Sequence, residues 1–237
     1  MKRNILARRA ASAALAACMM FSLSAPALAA STDALLQQST AAKSAVSVLD
    51  MQNDISESVT TMDLRNGSII VSVENGQQYA EQKNIKQQIS DLVVTTNNDE
   101  TANTLTIKGG TTGAKVTLSN VNINASGAAV SVSGNVELVI ADTNTLRSGT
   151  DHAGVEKADD DGTLTISGSG TLEAYGGQGG AGIGSGSQKG CSNIVIESGT
   201  ITARGGEWGA GIGSGNVGNR PGVLGGSNIT INDGDVT

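Results

Sequence analysis

An eleven-residue glycine-rich stretch occurs twice, 29 residues apart: Gly176-Gly-Gln-Gly-Gly-Ala-Gly-Ile-Gly-Ser-Gly186 and Gly205-Gly-Glu-Trp-Gly-Ala-Gly-Ile-Gly-Ser-Gly215. Each copy follows two short aliphatic pieces, Leu164–Ile166 and Thr171–Ala174 before the first, Ile194–Ile196 and Thr200–Ala203 before the second. A third copy begins at Asn228–Ile231 and runs through Asp235-Val236. Self-similarity at a fixed period means stacked units, each burying apolar surface against its neighbours.

Weaker copies extend upstream. First-strand anchors fall at Val116, Val136, Leu164, Ile194 and Ile229, and second-strand anchors at Ile123, Leu146, Leu172, Ile201 and Val236. Third-strand anchors fall at Val130, Val155, Ile183 and Ile212, three of them in an Ala-Gly-Val/Ile frame at 153–155, 181–183 and 210–212. In Val136–Leu138, Leu164–Ile166 and Ile229–Ile231 the outer residues are apolar and the middle one polar, the alternation of a half-buried strand. Three short strands per unit joined by Gly and Asn turns predict an all-β parallel β-helix over residues 60–237, with ladders of Val, Leu and Ile inside. The regular anchors oppose the other reading of such glycine content, a flexible linker.

Residues 1–29 read as a secretory signal. Lys2, Arg3, Arg8 and Arg9 precede an apolar run from Ala10 to Leu23, and Ala27-Leu-Ala29 fits cleavage after Ala29. Leu15-Ala-Ala-Cys18 resembles a lipoprotein box, but the residues after Cys18 stay hydrophobic, which favours ordinary cleavage. Residues 30–59 read as a polar leader or linker, with a short helix expected around 34–51; no second long apolar run marks a membrane span. The segment Gln77–Ile89 is expected to be a helix or a loop near the first repeat. The sequence stops at Thr237 within a second strand, which reads as a fragment.

Charge narrows the partners. Loss of the four leader bases leaves 11 basic against 22 acidic residues, a net charge of −11. Nucleic acid and anionic membrane suit such a surface poorly; neutral polymers and divalent cations suit it better. The mature chain keeps Tyr79, Tyr175 and Trp208 as its aromatics and Cys191 as its one cysteine, so no internal disulfide forms. Cys191 aligns with Gly226 and reads as a small buried turn residue.

Two edges of the repeats gather chemistry. The connections from third to first strand lengthen along the chain and carry the run Asp159, Asp160, Asp161, read either as a Ca²⁺ ligand set or as a solvated acidic turn. The edge between second and third strands carries Arg147, Asp151 and His152, then Tyr175, then Arg204, Glu207 and Trp208. Trp208 could stack on a sugar or pack over the turn below; His152 reads as a turn residue. No nucleophile elbow, phosphate-binding loop, zinc-protease motif or Cys-x-x-Cys pair is present, and the candidate acids Glu173, Glu197 and Glu207 do not align from copy to copy.

The frame Leu/Ile-x-Ile…Gly-Thr-Leu/Ile-x-Ala-x-Gly-Gly-x-x-Gly-Ala-Gly-Ile-Gly-Ser-Gly resembles repeats in secreted surface proteins of clostridia-related gut bacteria. The segment Asn135–Leu146 resembles part of the clostridial carbohydrate-binding β-helix family. The resemblance covers about residues 103–237. It implies a right-handed, single-stranded parallel β-helix on the cell surface that binds polysaccharide, sometimes with Ca²⁺, and no site residue carries over from it. The expected function is non-catalytic glycan binding, with Tyr175, Arg204, Glu207 and Trp208 as the ligand patch. A structural stalk and a polysaccharide lyase or hydrolase are the alternatives.

Overall fold

The computed structural model describes residues 59–157, 161–218 and 225–237, all within the compact unit that begins at Glu57. The expected signal, lipoprotein box and 34–51 helix lie outside the described residues. In chain order the strands are β1 (Val59–Asp63), β2 (Ile69–Glu74), β3 (Gln77–Gln82), β4 (Ile85–Gln88), β5 (Asp91–Thr95) and β6 (Glu100–Thr101). They continue with β7 (Leu105–Ser119), β8 (Asn122–Asn124), β9 (Val130–Ala141), β10 (Thr143–Arg147), β11 (Val155–Lys157), β12 (Leu164–Gly168) and β13 (Thr171–Tyr175). The last are β14 (Ile183–Gly184), β15 (Ser192–Ile196), β16 (Thr200–Arg204), β17 (Ile212–Gly213), β18 (Ser227–Ile231) and β19 (Asp235–Val236), and a single 3-10 turn spans Leu64–Asn66. The described chain is all-β, with no α-helix among these residues.

Parallel pairing dominates. A 13-stranded sheet holds the first and third strands of each repeat, and a six-stranded sheet, ordered β19-β16-β13-β10-β8-β6, holds the second strands. Residues of successive repeats therefore stand in three registered ladders. The third-strand ladder is Ile69–Leu105–Val130–Val155–Ile183–Ile212, and its last four members are the expected anchors, three of them in the Ala-Gly-Val/Ile frame. All of these except the last are wholly buried. Each buried Leu, Ile or Val contributes roughly 1.5–3 kcal/mol relative to an exposed one.

The other two ladders correct the sequence register at their upstream ends. Leu164, Ile194 and Ile229 align below Val136 as expected, but the residue above Val136 is Ala114; Val116 pairs with Leu138. The register slips at Gly109–Gly113, where β7 bulges against β9. In the second-strand ladder Leu172, Ile201 and Val236 align, but the residue above Leu172 is Asn144, while Ile123 and Leu146 stand in the neighbouring ladder with Ala174 and Ala203. An apolar search steps over Asn144 because it is polar. The structure buries it completely and occupies its amide: Oδ1 accepts from the Val121 N–H at 3.1 Å, and Nδ2 donates to the carbonyls of Ala141 (2.7 Å) and Thr171 (3.3 Å).

The segment Gln77–Ile89 is neither helix nor loop. It forms the strands β3 and β4, β3 antiparallel to β2 and β4 antiparallel to β3. The turns Asn75-Gly76 and Lys83-Asn84 all have positive φ, the two-residue hairpin geometry whose twist matches the strands it joins.

The repeated Gly-Ile-Gly-Ser-Gly serves stacking. A β-carbon on Gly184 would lie 1.7 Å from the Gly213 carbonyl oxygen of the next repeat. After each copy the chain returns to the turn of the repeat before: the Ser187 N–H donates to Asp151 O at 2.9 Å, and the Asn216 N–H to Gly179 O at 2.7 Å. Ser185, wholly buried, fixes the crossing by donating to Lys189 O (2.6 Å) and accepting from the Gly215 N–H (3.0 Å). Cys191 is buried, aligned one residue before the Ser192–Ser227 pair, and so stands opposite Gly226 as the sequence predicts.

Candidate functional site

The edge between second and third strands is built from three turns with one geometry. The Asp151 N–H donates to Gln178 O, and the Gly179 N–H to Glu207 O, so Asp151, Gly179 and Trp208 stand in one column. All three have φ in the left-handed region, at 67°, 80° and 67°. For glycine this costs nothing; for a bulky L residue it costs about 1–2 kcal/mol. Trp208 bears that cost while its side chain stays 66% exposed, so burial does not compensate it.

The four residues expected to form the ligand patch fall into two pairs. Tyr175 and Arg204 are register partners at the ends of β13 and β16, and Arg147 precedes Tyr175 on β10. The guanidinium carbons of Arg147 and Arg204 lie 4.7 and 5.9 Å from the Tyr175 ring centroid. With an arginine from each neighbouring strand beside it, the tyrosine is engaged as an aromatic surface. Its hydroxyl lies 3.1 Å from Oε2 of Glu173, to which it donates. Glu207 and Trp208 sit together in the turn that follows, where Glu207 Oε2 accepts from Nε2 of Gln178 at 3.0 Å. No hydrogen bond or ring contact joins the two pairs among the described residues, and Trp208 is left as the open element.

Of the acidic run, Asp159 and Asp160 lie outside the described residues. The Asp161 carbonyl accepts from Nζ of Lys157 at 3.2 Å, and Asp161 lines a groove of 760 Å³ with Glu74, Lys108 and Asn135. Among the described residues no three His, Cys, Asp or Glu side chains gather closely enough to hold a metal ion. Glu197 is engaged by Nδ2 of Asn232 at 3.0 Å, so Glu173, Glu197 and Glu207 each serve a different partner.

The structure adds a cluster the sequence did not reveal. Glu156, buried at the middle of β11, accepts at Oε2 from the Ala153 N–H (3.2 Å) and lies 2.8 Å from Nδ1 of His152, while Nζ of Lys189 stands 3.5 Å from its Oε1. Gly184 and Gly213 occupy the place of Glu156 in the next two repeats. That break in the glycine pattern was the available signal, but the lysine comes from 33 residues downstream and is legible only in three dimensions. Next to Glu156, Lys157 is wholly buried in the ladder below Val132.

Compared with known proteins, the chain matches no family model, and no curated protein or solved structure matches it significantly. Among the described residues no helix is long and apolar enough to cross a membrane.

Proposed function

We infer that the chain is a secreted or cell-surface protein that binds polysaccharide without catalysis, on a right-handed single-stranded parallel β-helix of three short strands per rung. The architecture is supported by the three parallel ladders that recur from repeat to repeat, and handedness by the strong right-handed preference of parallel crossovers. Secretion is supported by the basic, then apolar, then small-residue pattern of residues 1–29.

The observation that carries the binding reading is Trp208. A lone tryptophan held in a left-handed turn, two-thirds exposed and beside a carboxylate, is costly to keep and offers an apolar face on which a sugar ring stacks. A surface stalk is the second reading, favoured by the uniformity of the ladders. Calorimetry of wild type and Trp208→Ala against a panel of plant and microbial polysaccharides separates the two. Binding by wild type that weakens by about 1–3 kcal/mol in the variant supports the first. A wild type that binds nothing in the panel favours the stalk.

A further inference from the structure

Gly179 separates Asp151 from Trp208 in their shared column, and what fills the space above it defines the surroundings of the indole. A β-carbon built on Gly179 would meet Oδ1 of Asp151 at 3.0 Å, and Cβ and Oγ of Ser187 at 3.2 and 3.3 Å. The Asp151 carboxylate therefore leans one repeat along the column toward Trp208. Ser187, brought there by the loop that returns over Asp151, sets its hydroxyl over the same glycine. The next position in the column, about 4.8 Å further on, is Trp208 itself. Neither the Asp151 carboxylate nor the Ser187 hydroxyl hydrogen-bonds another described residue, in contrast to Glu173, Glu197 and Glu207.

We propose that Asp151 and Ser187 hydrogen-bond adjacent hydroxyls of a neutral hexopyranose whose ring stacks on Trp208. This rests on the carbohydrate-binding reading above and names its ligand class. A carboxylate only accepts, and its two oxygens match two neighbouring O–H donors on a sugar ring. The Ser187 hydroxyl donates or accepts as the sugar requires. The same fixed charge disfavours a sugar carboxylate at this position, in keeping with a mature chain that is strongly acidic. The absence of a side chain at Gly179 leaves room for both groups over that turn, one repeat from Trp208, and Asn at position 151 would keep the left-handed turn.

The test uses the full chain, in which Trp208 is the sole tryptophan, so its emission reports occupancy directly. Wild type, Trp208→Ala, Asp151→Asn and Ser187→Ala are titrated with a mannan, a galactan, a mixed-linkage β-glucan and polygalacturonate, with calorimetry for the variant that lacks tryptophan. Melting temperatures of all four proteins serve as the control for folding. The expected result is binding of a neutral polymer that shifts Trp208 emission and falls about tenfold or more in Asp151→Asn and several-fold in Ser187→Ala at unchanged melting temperature. If both variants bind as wild type does while Trp208→Ala does not, the glycan reading stands and the Asp151–Ser187 assignment falls. Tighter binding of polygalacturonate than of every neutral polymer also overturns it. If none of the four polymers binds, both readings fall.

Discussion

Asn144 lies directly above Leu172 in one ladder, so an amide and an isobutyl group share a single column of the interior. The amide is tolerated because it acts as part of the backbone network, serving Val121, Ala141 and Thr171 at once. Asn144→Leu would continue the aliphatic column yet leave the Val121 N–H buried without its acceptor. We expect it to destabilise by about 1–3 kcal/mol despite the added apolar surface. Urea unfolding of both proteins checks this, and a more stable variant would show that the amide contributes nothing.

Glu156 ties two repeats together through His152, on its own turn, and Lys189, from the loop that follows. Glu156→Gln keeps the shape and removes the charge. We expect a loss of about 1–3 kcal/mol, with faster amide exchange confined to 151–156 and 185–189. Exchange that rises uniformly over the chain would contradict a local tie.

Trp208 should be replaceable at a gain in stability. Asn tolerates the left-handed conformation, so Trp208→Asn is expected to raise stability by about 1 kcal/mol while abolishing the proposed glycan binding. A lower melting temperature would mean that the indole packs in solution more closely than its exposure implies.

Acid should loosen the first strand. Arg65 reaches Asp63 through Nε, at 2.9 and 3.1 Å from its two oxygens, and this hydrogen bonding holds the Asp63 carboxyl below its usual range. A carboxyl lowered on folding adds stability above its unfolded pKa of about 4, and that stability is lost as pH falls through the lower folded value. Asp63→Asn should flatten the fall in melting temperature below about pH 4 and change little at pH 7 beyond a constant offset. The part-exposed Arg65 keeps the effect small.

The third-strand ladder was legible from Val130 onward, where each member sits in an Ala-Gly-Val/Ile frame or its near variant, and not at Ile69 and Leu105, which lack that frame. The first-strand ladder was legible from Val136 onward and lost above it, where β7 bulges at Gly109–Gly113 and the partner of Val136 is Ala114, two residues before Val116. Alanine is a weak apolar signal beside valine, so the wrong residue was the more conspicuous one. Gln77–Ile89 misled through its charges, although Asn75-Gly76 announced a hairpin. In the site, the Tyr175–Arg204 pair followed from the 29-residue offset. Asp151 stood on the same edge in the sequence, but its meeting with Ser187 and the Glu156 cluster did not follow, because the loops that reach back one repeat cross the period instead of following it.

That backward reach bears on how such a chain can change in length. Ser187 meets Asp151 as Asn216 meets Gly179, so each unit presents to its successor the surface that it received from its predecessor. An in-frame duplication of 29 residues within 176–215 would insert a unit whose two contacts already exist on either side, and an in-frame deletion would close on the same contacts. Offsets other than 29 are absorbed by the connecting loops, as between Val155 and Ile183, 28 residues apart, and between Leu164 and Ile194, 30 apart, while a slip of one residue within a strand would turn its apolar face outward. Length in this protein is therefore counted in whole repeats, and a gene encoding it can grow by copying one of them.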